Sequence, residues 1–78
     1  MKPMHLRSVR ERRGLTQEQL ERLSGVAQNT ISKLESNPHA RPVFATVVAL
    51  AKALSWDPLQ LRFGPDPRRR TRKARVAA

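Results

Sequence analysis

Cysteine is absent from the 78 residues, so neither a disulfide nor a thiolate metal site can hold the chain together. That fits a reducing compartment, and the expected location is the cytoplasm. The two histidines, His5 and His39, stand alone without an acidic or thiol partner at ligand spacing, so no metal is expected. Three glycines do not make a phosphate-cradling loop. No serine has a histidine and an acid placed to activate it, so the chain is expected to be no enzyme and to need no cofactor. The longest largely apolar run, 42–51, is roughly half of what a membrane span requires. No apolar block precedes Arg7, so no secretory signal and no membrane partner are expected. The few aromatic residues, Phe44, Trp56 and Phe63, read as core or core edge.

Acidic residues are scarce as well. Only 6 Asp and Glu face 16 Lys and Arg, for a formal net charge of +10. Residues 65–78 hold five Arg, one Lys and one Asp, which makes +5 and leaves +5 for 1–64. A basic domain with a denser basic tail points to a polyanionic partner, nucleic acid above all. Length allows one small domain, expected over 1–64, and the tail at 65–78 has no apolar periodicity and is expected to be disordered. That tail reads either as an arm adding DNA affinity or as an inert solubilising end.

What is present is helical patterning. A first helix is expected over about 4–13, with Leu6 and Val9 inward, Arg10 and Arg13 on or beside that face, and Gly14 as its C-terminal stop. Thr16 and Gln19 form a capping box for a second helix over 17–24, in which Leu20 and Leu23 share a face. Gly25 supplies the positive φ of a sharp turn. A third helix follows over about 27–35, with Ile31 and Leu34 inward and Gln28, Asn29, Thr30, Ser32 and Lys33 outward. Two short helices around a tight turn, the second with an amide-rich outer face, have the form of a DNA reader. Asn37 is the expected left-handed residue after the third helix, and 36–42 is a loop. A fourth helix over about 44–54 carries the stripe Val47, Val48, Leu50, Ala51 and Leu54. Asp57 and Pro58 start a short fifth helix over about 58–62. Trp56, Leu59, Leu61 and Phe63 are too many apolar side chains to be buried together in so small a bundle, which leaves surface for a two-fold contact.

The chain resembles the Cro- and phage-repressor-like helix-turn-helix family, also called the XRE family. The resemblance rests on Leu6-Arg7 and Arg10, on Gly14-Leu15-Thr16-Gln17 with Leu20, and on Gly25-Val26. It continues through Ile31-Ser32, Leu34-Glu35 and Pro42, then 50–54 and Leu59, without a gap in register. It implies an all-α fold, a compact bundle of five helices, with the third in the major groove. Position by position, it makes Gln28, Asn29, Thr30 and Lys33 the base-contacting set and Gln17 a contact to the DNA backbone. Arg10 and Glu35 match a structural ion pair that is buried or half-buried between the first and third helices. Ser32 and Arg41 are further backbone candidates from their places beside the reading helix. The chain departs from the family at Glu21, where Ala is usual, at Ala27, where Ser or Thr caps the third helix, and at Asn37 and Ser55, where Gly is usual.

The expected function is a sequence-specific, double-stranded-DNA-binding transcriptional regulator, a repressor by preference, acting as a homodimer on a palindromic operator. Two alternatives stand beside it. One is an antitoxin that uses the same fold and a second surface for a toxin. The other is a non-specific nucleic-acid binder driven by the tail.

Overall fold

The computed structural model describes residues 2–66. Residues 67–78, most of the expected basic tail, lie outside the described residues. In chain order the elements are β1 (Met4–His5), α1 (Leu6–Arg12), α2 (Gln17–Ser24), α3 (Gln28–Ser36), α4 (Phe44–Leu54), a single 3-10 turn (Pro58–Gln60) and β2 (Leu61–Arg62). The core gathers Leu6 and Val9 of α1, Leu20 of α2, Ile31 and Leu34 of α3, and Val47, Leu50, Ala51 and Leu54 of α4, closed by Leu61. Among the described residues no helix is long and apolar enough to cross a membrane.

Each helix end has a local cause. The α1 terminus closes with Gly14 in the left-handed region at φ +73; its N–H reaches the Glu11 carbonyl (3.0 Å) and the Leu15 N–H reaches that of Arg10 (3.1 Å). This double bond pattern satisfies carbonyls the helix would otherwise leave bare. The capping box of α2 forms as the sequence predicts: Thr16 Oγ1 accepts from the Gln19 N–H (3.1 Å) and Gln19 Oε1 from the Thr16 N–H (2.8 Å). Gly25, at φ +80, turns the chain toward α3.

Five expectations are corrected. Among the described residues the all-α bundle has four α-helices, not five, accompanied by a two-residue β-ladder. Met4 and His5 do not begin α1; they pair in parallel with Leu61 and Arg62. The stretch after Pro58 is one 3-10 turn because the backbone becomes extended at Leu61 (φ −86, ψ 130), which the pairing with β1 requires. Asn37 is extended rather than left-handed (φ −90, ψ 115); its side-chain oxygen instead accepts from the His39 N–H (2.8 Å), making a local turn. Leu23 does not share the burial of Leu20 and is 61% exposed.

Ser55 does take the left-handed conformation, at φ 53 and ψ 48, the only non-glycine to do so among the described residues. Arg13 holds it there, with Nε donating to the Leu54 carbonyl (2.8 Å) and a terminal nitrogen to that of Ser55 (3.1 Å). The guanidinium also lies over the Trp56 ring, 5.8 Å from its centroid. An L-residue in this region costs roughly 1–2 kcal/mol, part of which glycine returns as chain entropy. Ser55→Gly is therefore expected to stabilise the domain by about 0.5–1 kcal/mol, visible as a higher melting temperature by circular dichroism.

Candidate nucleic-acid interface

The surface of interest is the outer face of α3, and its orientation is set from inside. Ile31, Leu34 and Glu35 are buried. Three inward anchors within five residues fix the rotation of the helix about its own axis. The opposite face is then forced outward: Gln28, Asn29, Thr30, Ser32 and Lys33 are all exposed. Residues four apart are neighbours on a helix, so Gln28 stands over Ser32 and Asn29 over Lys33. The row offers two primary amides, two hydroxyls and one ammonium group.

Glu35 carries the electrostatics beneath that face. Its Oε2 accepts from Arg10 Nε at 2.6 Å and its Oε1 from a second Arg10 nitrogen at 3.1 Å, a bidentate pair. Arg10 gives its remaining terminal nitrogen to the Leu15 carbonyl (2.7 Å). Both members are buried. This ion pair ties α1 to α3 across the core.

Gln17 has a use the sequence did not reveal. Its Nε2 donates to Glu35 Oε1 at 3.0 Å, and the residue is half-buried. It thus joins α2 to the same carboxylate, which receives three donors from two helices. A Gln at the first position of a helix is ordinarily a solvated residue, and nothing in its spacing from Glu35 signals the contact. One amide hydrogen remains for an outside acceptor.

Arg41 is exposed in the loop after α3. A groove brings it together with Thr30 and Lys33, flanked by His39 and Thr46. Gln28, Asn29 and Ser32 stand outside this groove, along the α3 face. The sequence-expected residues therefore fall into an exposed helical row, a groove with two cations beside it, and Gln17 bonded to Glu35. Among the described residues no group of three or more His, Asp or Glu side chains could hold a metal ion.

Ala27 stands at the start of α3 with φ −58 and ψ 142, and no side chain caps the helix there. The first-turn N–H groups lack the acceptor that a Ser or Thr would provide. Ala27→Ser is expected to raise stability by about 1 kcal/mol, and the melting temperature by about 4–8 °C in a thermal melt.

A protein-family model described as helix-turn-helix matches residues 6–58, more than half of the chain. No curated protein and no solved structure matches it.

Proposed function

The chain belongs to the Cro- and repressor-like (XRE) helix-turn-helix family of DNA-binding regulatory domains, and from that premise we propose that it reads a specific duplex sequence and represses transcription by occupying its operator. The observation that supports this most is the exposed α3 row held in a fixed rotation by Ile31, Leu34 and Glu35. In this reading Gln28 and Asn29 pair their amides with adenine N6 and N7, Thr30 meets a thymine methyl, and Lys33 reaches guanine O6 or N7. Gln17, Ser32 and Arg41 contact the phosphate backbone and set the register. Two copies bind a palindrome with half-sites about one DNA turn apart. Leu59, 75% exposed at the end of the bundle, supplies apolar surface for the two-fold contact.

A second reading, an antitoxin with a protein partner, is favoured by apolar surface that DNA reading leaves unused. Leu23 stands exposed beside Ala45, Val48 and Ala49 of α4. The two readings separate by experiment. A stand-alone regulator binds its operator as a dimer of this chain alone, by sedimentation of the protein–duplex complex. An antitoxin co-purifies with a second small protein when expressed from its native locus. The tail-driven, non-specific alternative predicts equal affinity for an operator and its scrambled duplex, and loss of binding when 65–78 are removed.

A further inference from the structure

The family match ends at residue 58, yet the chain continues as a short strap over 61–66 that is fastened at three places. Leu61 and Arg62 pair with Met4 and His5, so the ladder is built wholly from residues flanking the match on its two sides. The Gly64 N–H donates to the Leu34 carbonyl at 2.6 Å, near the C-terminal end of α3. Asp66 Oδ2 then accepts from the Ser8 hydroxyl at 3.2 Å and lies 4.0 Å from His5 Nδ1.

We propose that this strap is part of the reading apparatus and that Gly64 is a positioning residue for the end of α3 and the loop that carries Arg41. The inference rests on the DNA-reading function proposed above. Gly64 is buried and adopts φ +94, a region that side chains rarely occupy. A Cβ there would sit 3.2 Å from the Asn37 oxygen and 3.2 Å from Pro38 Cα, both backbone atoms, so the Asn37–Pro38 backbone would have to give by a few tenths of an ångström.

The Asn37 peptide is the pivot between the two cations of the groove. Its N–H donates to the Lys33 carbonyl (2.8 Å), and its own carbonyl accepts from the Ala40 N–H (3.1 Å), one residue before Arg41. Pressure on the Asn37 carbonyl therefore passes to Lys33 on one side and to Arg41 on the other. The strap thus sets the spacing between a base-reading cation and a phosphate-contacting one.

The test uses the full chain and a duplex recovered from a random library, with a scrambled duplex as control. Binding is measured over a range of salt, well below each variant's melting temperature. Gly64→Ala is expected to lower the slope of log K against log salt by about 0.9, the loss of one phosphate contact. It is also expected to narrow the ratio of the two affinities several-fold, because the Lys33 end shifts. Arg41→Ala should show the same loss of slope, and the double variant no further loss. Should Gly64→Ala fail to fold, Ser8→Ala, which removes one of the fastenings at the far end of the strap, should move slope and ratio in the same direction by less. Folded variants that melt earlier but keep the wild-type slope and ratio would overturn the proposal and leave the strap as scaffolding only. A wild-type chain that does not distinguish the two duplexes would sink the DNA-reading premise and the strap's part in it together.

Discussion

Glu35→Ala is expected to destabilise the domain by about 3–5 kcal/mol, because it leaves the Arg10 guanidinium buried without its counter-ion. The loss is large against the whole. A chain of this size has a folding free energy of about 4–12 kcal/mol at the usual per-residue range. Glu35 accepts from two Arg10 nitrogens and from Gln17, and only the Arg10 bond to the Leu15 carbonyl would survive the change. Side-chain exposures of 10% for Arg10 and 4% for Glu35 leave little room for water to take over. Thermal or urea unfolding by circular dichroism reads the effect directly. The companion variant Arg10→Met/Glu35→Leu removes both charges together and should recover much of the loss, since apolar replacements of a buried pair are often neutral or better. Equal losses in the single and double variants would mean that packing volume, not the stranded charge, sets the cost.

Gln28→Ala and Lys33→Ala carry the largest expected effect on DNA. Each is exposed, so neither should move the melting temperature by more than about 2–4 °C. In the proposed reading each removes a base contact worth about 1–3 kcal/mol of discrimination, roughly 5- to 150-fold in affinity for the cognate duplex. Affinity for a scrambled duplex should barely change on Gln28→Ala, since amides contribute nothing to the counterion term. Lys33→Ala should weaken both, the cognate duplex more. Competition binding with the two duplexes separates these outcomes from a general loss of folded protein.

Much of this architecture is legible in the residues because its signals are local. The Thr16–Gln19 capping box, the left-handed Gly14 and Gly25, and the inward spacing of Leu6, Val9, Leu20, Ile31 and Leu34 each act within one or two turns of chain. The family resemblance implied an Arg10–Glu35 ion pair, and the structure places the two together in a bidentate one. What escaped the sequence is long-range or too short to have a period. A two-residue ladder between Met4–His5 and Leu61–Arg62 leaves no alternation long enough to recognise. The apolar residues Leu59, Leu61 and Phe63 alternate with Gln60 and Arg62, a strand period that a strong Asp57-Pro58 start signal overrode. That start is real: Asp57 Oδ1 accepts from the Leu59 N–H at 2.9 Å, but the helix it opens lasts one turn. Asn37 could avoid the left-handed region because its side chain found the His39 N–H and Gly64 took the Leu34 carbonyl. The engagement of Gln17 with Glu35 depends on how α2 crosses α3, which no spacing within either helix encodes.

The outer face of α3 is legible for a different reason. Its polar residues are the complement of a core stripe, so recognising Ile31 and Leu34 as inward leaves Gln28, Asn29, Ser32 and Lys33 nowhere to go but out. What those residues meet is the central claim. The measurement that tests it most directly is selection of bound duplexes from a random library in about 150 mM salt, with the intact chain and with Gln28→Ala/Lys33→Ala. Enrichment of one two-fold-symmetric motif by the intact chain, lost in the double variant, is the predicted result. No enriched motif, with binding that fades steeply as salt rises, would contradict it and leave charge alone as the source of affinity.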